Sequence, residues 1–181
     1  MLYRIRIVDM NMPKKGRLLV TCNHVSFMDA FLVRLASPRP LRFVMYYKIY
    51  NLPVIKYFFK WAGCIPIASP REDRKVFERA FCEIEKALEN EEAVMIFPEG
   101  HISLSGELQT FKGGVEHIIE NTPSNVYCIS LNNMYGSYFS KSKNKPFFGK
   151  LRSTITIKGG RLINYEDVGR EHLFQETKRL Q

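Results

Sequence analysis

Short apolar runs alternate with amphipathic segments along most of this chain. Leu18-Leu19-Val20-Thr21-Cys22 and Ala93-Val94-Met95-Ile96-Phe97 are nearly continuous apolar runs, the pattern of strands buried on both faces. Tyr3-Arg4-Ile5-Arg6-Ile7 alternates apolar and basic residues, which predicts an edge strand with one wet face. Residues 41–46, 63–67, 126–131 and 154–158 read as further strands. Helical spacing is clearest over 71–92, where Val76, Phe77, Ala80, Phe81, Ile84, Ala87 and Leu88 share one face with charges opposite, the pattern of a helix covering a sheet. Shorter helices are predicted over 30–35 and 113–120, and 167–181 reads as a terminal helix or a frayed tail. Strands alternating with helices predict an α/β fold, a mixed and mostly parallel sheet flanked by helices, in a single domain over 1–181 without internal repeats.

Residues 46–61 depart from this alternation. Tyr46, Tyr47, Tyr50, Tyr57, Phe58, Phe59 and Trp61 crowd together with Lys48, Lys56 and Lys60, and no acid lies among them. Aromatic bodies with lysine heads suit the interface of an anionic bilayer, with Lys48, Tyr50, Lys56, Phe59, Lys60 and Trp61 as the contacts. A core helix whose lysines snorkel outward fits the same residues.

A length of 181 residues at 45% hydrophobic composition supports one real core. Lys and Arg total 27 against 18 acids, a net charge of +9 that favours anionic partners. Membrane phospholipid, an acidic carrier protein, a nucleotide-bearing thioester and nucleic acid all qualify, and charge alone does not choose. No run approaches the ~18 apolar residues of a membrane-spanning helix, and the alternating start lacks the apolar core of a signal peptide. Cys22, Cys64, Cys82 and Cys128 are widely spaced without a Cys-x-x-Cys pair, and read as buried thiols of a cytosolic protein rather than disulfides or zinc ligands. No Gly-rich phosphate loop occurs; Gly113, Gly114, Gly159 and Gly160 read as turn and helix-start glycines. Lys141-Ser142-Lys143-Asn144-Lys145-Pro146 reads as a solvated basic loop in preference to a binding patch.

Two loops carry the chemistry. Asn23-His24-Val25-Ser26-Phe27-Met28-Asp29 leaves the first apolar strand, and a carboxylate at that distance can fold back onto the imidazole. Such a pair fixes the tautomer and raises the basicity of the free ring nitrogen, as a general base requires. Phe97-Pro98-Glu99-Gly100-His101-Ile102-Ser103 leaves the second strand and breaks at Pro-Glu-Gly. Two polar loops ending two buried strands predict one cleft on one sheet edge. A structural His24 is the alternative for the first loop, and a carboxylate capping a loop amide is the alternative for Glu99.

Taken together, in this order and each after a strand, the motifs resemble the glycerolipid acyltransferase family, whose best-known members are the 1-acylglycerol-3-phosphate acyltransferases. The resemblance spans roughly residues 3–165. It implies a glycerol-3-phosphate acyltransferase-like fold and acyl transfer from acyl-CoA or acyl carrier protein as substrates, with no metal or bound cofactor. It implies His24 as base and Asp29 as its orienter, with Asn23, Glu99, Gly100, His101 and Ser103 at the acceptor site. Phe111-Lys112-Gly113 resembles a further family element, in which Lys112 either meets a phosphate or is a plain surface lysine.

Family members acting on 1-acylglycerol-3-phosphate typically carry arginines where this chain has Ser69 and Ile102. Arginine forks suit a dianionic phosphomonoester, so their loss argues for an acceptor with a head group already attached. Arg71 or Arg74 is placed to substitute from the next turn. The departures resemble the 2-acylglycerophosphoethanolamine acyltransferase branch, as do Leu2 to Val8 and Leu131-Asn132-Asn133-Met134-Tyr135-Gly136-Ser137. In that branch the domain is often fused to a lysolipid transporter or an acyl-ACP synthetase, and this chain reads as such an excised domain or a free-standing relative. The reading is then a peripheral enzyme on the cytoplasmic face of the cell membrane, acylating a lysophospholipid, with lysophosphatidylethanolamine the leading acceptor and no nucleic-acid partner. A phosphatidate-forming enzyme is the first rival. A non-catalytic basic lipid- or nucleic-acid-binding module is the second, and it leaves the two paired motifs unexplained.

Overall fold

The computed structural model describes residues 4–135 and 154–181; residues 2–3, the 141–146 basic segment, Gly136 and Ser137 lie outside them. In chain order the strands are β1 (Arg4–Val8), β2 (Leu18–Cys22), β3 (Arg42–Tyr46), β4 (Ile65–Ile67), β5 (Ala93–Ile96), β6 (Val126–Asn132) and β7 (Thr154–Ile163). The helices are α1 (Asp29–Ala36), α2 (Tyr47–Tyr50), α3 (Ile55–Trp61), α4 (Arg74–Glu89), α5 (Gly114–Asn121) and α6 (Arg170–Leu180). Among the described residues the strands form one sheet in the order β1-β7-β6-β2-β5-β3-β4. β6, β2, β5, β3 and β4 run parallel, while β7 is antiparallel to β6 and carries β1 parallel to itself. β2 and β5 are adjacent and parallel, so the two loops identified by their chemistry leave the sheet side by side on one edge.

The central strands bury both faces, and side chains alternate between two apolar layers with the period of two that a pleated strand imposes. Leu19, Val94, Ile96, Val126 and Cys128 enter one layer, under α4, α5 and α6. Leu18, Val20, Cys22, Ala93, Met95, Tyr127 and Ile129 enter the other, where α1 contributes Leu32 and Val33. α4 presents Ala80, Phe81, Ile84, Ala87 and Leu88 to the sheet. It starts at Arg74 and not Arg71, because Asp73 caps it by accepting from the Val76 N–H at 3.0 Å while the Ser69 carbonyl holds the preceding turn. α6 is a formed helix with Leu173, Thr177 and Leu180 buried, which resolves the alternative of a frayed tail.

Two expectations are corrected. Gly159 and Gly160 are not turn glycines; they lie within β7, which runs on to Ile163. A side chain at 159 would run into the Tyr127 hydroxyl and the Asp9 carbonyl, so close approach explains the glycine. The cysteines are not uniformly buried: Cys22 and Cys128 are, Cys64 is half-buried and Cys82 is exposed, all as free thiols. Cys82 follows the buried Phe81 on α4 and is itself exposed.

The 46–61 stretch is neither a single helix nor a core element. Two short helices, α2 and α3, are joined through Pro53, and neither buries a residue. Among the described residues no helix is long and apolar enough to cross a membrane.

Candidate active site

β2 ends at Cys22, and the next residue ties its exit to the neighbouring strand. The Asn23 amide donates to the Leu131 carbonyl at 3.0 Å and accepts from the Leu131 N–H at 2.7 Å, which pairs both backbone polar groups of Leu131. Asn23 is therefore buried and turned into the β2–β6 junction. His24 follows, half-buried and facing the edge of the sheet.

Asp29, at the first position of α1, is fully buried. Its Oδ2 accepts three N–H groups, His24 Nδ1 at 2.9 Å, Val25 N at 2.7 Å and Ser26 N at 2.8 Å. The two backbone bonds fold the 24–28 loop around the carboxylate, and the third fixes the ring. An acceptor-only carboxylate demands that Nδ1 carry the hydrogen, leaving Nε2 with a free lone pair. Among the described residues, Oδ1 of the same carboxylate is buried with no hydrogen-bond partner. On its other side the imidazole lies flat on Phe97, ring centroids 3.8 Å apart and planes 13° from parallel. The ring is thus held in position by a hydrogen bond along its edge and an aromatic floor beneath it.

The second loop grips the same residue by its backbone. Glu99 accepts from the His24 N–H at 2.6 Å through Oε1 and from the Gln109 N–H at 2.9 Å through Oε2. The Ser103 N–H donates to the His24 carbonyl at 2.7 Å. Both backbone groups of His24 are therefore bound by the Pro-Glu-Gly loop. Burial pushes the Glu99 carboxyl up to about 7, against the two N–H bonds that favour its charged form. An imidazole with a free Nε2, oriented by a carboxylate and clamped on its main chain, has the features that a general base requires.

The family model described as Acyltransferase matches residues 4–132, which span β1 to β6 and both loops. The chain belongs to this acyltransferase family. Among solved structures, the 1-acyl-sn-glycerophosphate acyltransferase PlsC of Thermotoga maritima shares the fold. Its TM-score is 0.74 at 19% identity, over 97% of this chain and 70% of that one. The fold agrees with the mostly parallel α/β sheet expected from the strand and helix pattern.

The remaining site candidates of this acyltransferase occupy distinct positions. Gly100 has φ +73°, and the Lys112 side chain crosses it so closely that an added Cβ would lie 2.6 Å from Nζ. The Lys112 N–H donates to the Pro98 carbonyl at 2.9 Å, which ties Lys112 to the 97–103 loop. Phe111, beside it, is buried in the core against Phe174. His101 is exposed on the loop. Ser103 is buried, and its hydroxyl closes the loop on itself by donating to the Glu107 carbonyl at 2.8 Å and accepting from the Gly106 N–H at 3.0 Å. Arg71 is exposed in the turn before α4. Of the two positions where arginine is absent, Ser69 is exposed after β4 and Ile102 is buried. Among the described residues no cluster of three or more His, Cys, Asp or Glu is placed to hold a metal.

Two contributors escape a reading of the sequence alone. Phe97 lies inside the second motif, but nothing in the motif marks it as the floor of the imidazole. That role follows from the pairing of β2 with β5. Gln109 contributes only a backbone N–H, for which residue identity carries no signal.

Proposed function

We propose that this acyltransferase moves a fatty acyl chain from an acyl thioester, on coenzyme A or acyl carrier protein, to the free hydroxyl of a lysophospholipid. The observation that carries the reading is the His24–Asp29 contact at 2.9 Å, which favours the hydrogen on Nδ1 and so supports Nε2 as the base. Nε2 takes the proton of the acceptor hydroxyl as its oxygen bonds to the thioester carbonyl carbon. The carbon–sulfur bond then breaks, and the departing thiolate receives the proton from the imidazolium. The Asp29 carboxylate faces Nδ1 and stabilises the imidazolium while it exists. No covalent acyl-enzyme is needed, because the alcohol attacks directly.

The acceptor we favour is lysophosphatidylethanolamine. Ser69 and Ile102 stand where arginines would fork a dianionic phosphate, whereas a phosphodiester carries one charge that a point cation such as Lys112 matches. Arg71 is the second cation available to it. Such an acceptor resides in a membrane, so the enzyme works as a peripheral protein, on the cytoplasmic face, and takes no nucleic-acid partner. Fusion to a transporter or an acyl-ACP synthetase in the native polypeptide belongs to the same reading. The test is competition in mixed micelles between lysophosphatidylethanolamine and 1-acylglycerol-3-phosphate for one labelled acyl thioester, with His24→Ala as blank. Label in the diester product supports the assignment. Label in phosphatidate instead makes the enzyme phosphatidate-forming, with Lys112 or Arg71 replacing the missing arginines.

A further inference from the structure

The α2–α3 segment leaves the sheet from the end of β3, a strand parallel to β2 and β5, and so projects from the edge that carries His24 and Glu99. Its internal packing is explicit. Tyr50 of α2 stacks on Phe59 of α3, with centroids 6.3 Å apart and planes 22° from parallel. Lys48 turns back to pair with Glu72 at 2.7 Å. Those three residues, which are among the expected membrane contacts, hold the segment together and to the domain.

The other side of α3 turns outward, where Phe58 meets Phe59 and Trp61 and Lys56 lies over the Tyr57 ring. Val54, Tyr57, Phe58 and Trp61 recur at i, i+3, i+4 and i+7, one face of a helix, and they are 81%, 68%, 58% and 83% exposed. Lys56 and Lys60 flank this face, and no acid occurs anywhere in 46–61. Val54 adds a backbone oddity: it is β-branched yet sits at φ +68° and ψ −54°, outside the regions such residues favour, at the tip leading into α3. A strained, largely exposed valine at one end of α3 and an exposed tryptophan at the other gain nothing in water. Burial of both side chains in a partner would offset the strain.

We infer that the Val54–Tyr57–Phe58–Trp61 face inserts into an anionic lipid surface, with Lys56 and Lys60 at the phosphate level, and so seats the catalytic edge on the membrane that supplies the acceptor. The inference rests on the lipid-acceptor reading above and specifies the face that meets the lipid. Charge selects this occupant. A second copy docked through the same face would bring its lysines near those of the first, and an acidic carrier protein would satisfy the lysines while leaving four apolar side chains in water. An anionic bilayer accepts both the apolar face and the flanking cations.

Trp61 is the single tryptophan of the chain and reports on this face directly. The experiment adds vesicles of phosphatidylcholine containing phosphatidylglycerol to the protein and follows Trp61 emission, then repeats it with brominated acyl chains. A blue shift with anionic vesicles, quenched by the bromines and weakened by Lys56→Glu with Lys60→Glu, is the expected result. Phe58→Glu should reduce acyl transfer on vesicles roughly tenfold or more, with transfer to a short-chain lysophospholipid below its critical micelle concentration unchanged. Absence of both a shift and co-sedimentation with vesicles would overturn the inference. So would a shift that follows protein concentration without lipid, or one that acyl carrier protein produces and vesicles do not. If Trp61 enters lipid while no acceptor is acylated, this inference stands and the proposed reaction falls.

Discussion

Glu99 accepts a hydrogen bond from the backbone N–H of His24 at 2.6 Å, across 75 positions of sequence. The second motif therefore acts on the first through the main chain of the base. Glu99 is buried and both of its carboxylate oxygens face backbone N–H groups, so it fixes where the main chain of His24 stands.

Removing that clasp should misplace the base without removing it. Glu99→Ala leaves the N–H groups of His24 and Gln109 without their acceptor, at a cost of about 1–3 kcal/mol for each that stays dry. A base shifted by a fraction of an ångström to 1 Å loses up to roughly a hundredfold in rate. Denaturant midpoints and kcat measured on one preparation check both, and full kcat with lowered stability would restrict Glu99 to folding.

Glu99 also predicts a pH dependence of stability. Its carboxyl is raised from 4.5 to about 7 in the folded chain, so folding binds a proton across that window. Stability from this group is therefore greatest below 4.5 and falls as pH rises to about 7. Glu99→Gln, which cannot ionise, should flatten that slope. An identical slope in wild type and variant would show that the carboxyl titrates normally.

His24→Ala should lower kcat by roughly 10²–10⁴-fold or more, the range of a positioned general base, with circular dichroism unchanged. Substantial turnover in that folded variant would sink the mechanism.

The proposed reaction gives Asp29 two roles that two substitutions separate. Asp29→Ala strips the acceptor from three N–H groups and should cost about 3 kcal/mol or more in stability. Asp29→Asn keeps one acceptor oxygen for the loop but removes the charge facing the imidazolium, so it should lose less stability and still lose turnover. Equal kcat in Asp29→Asn and wild type would make the carboxylate a loop fastener only.

Gly100→Ala should act on substrate binding before chemistry. An L-residue at φ +73° costs about 1–2 kcal/mol. The new methyl also lies where Lys112 Nζ passes. If that ammonium meets the acceptor phosphate, KM rises with kcat nearly intact, and Lys112→Met reproduces the change. A KM that moves in neither variant would place Lys112 outside the site.

Much of this arrangement was legible from residue patterns. Leu18–Cys22 and Ala93–Ile96 are too apolar for anything but central strands, and the loops leaving them stood out because His24, Asp29 and Glu99 break hydrophobic runs. Strand and helix periodicities are local, set by bond geometry and burial over a few residues, so the sequence alone determines them. What it could not determine is which distant atoms meet. The Glu99 clasp and the Phe97 floor need β2 and β5 as parallel neighbours. The close approach that excludes a side chain at Gly159 needs β6 and β7 paired. The 46–61 stretch was ambiguous for the same reason: aromatic and lysine spacing defines a face but not what covers it. Only the packed chain shows Tyr50 and Phe59 turned onto each other and Trp61 left outside. Partners distant in sequence are selected by the global packing of the sheet, and that selection is a property of the tertiary structure.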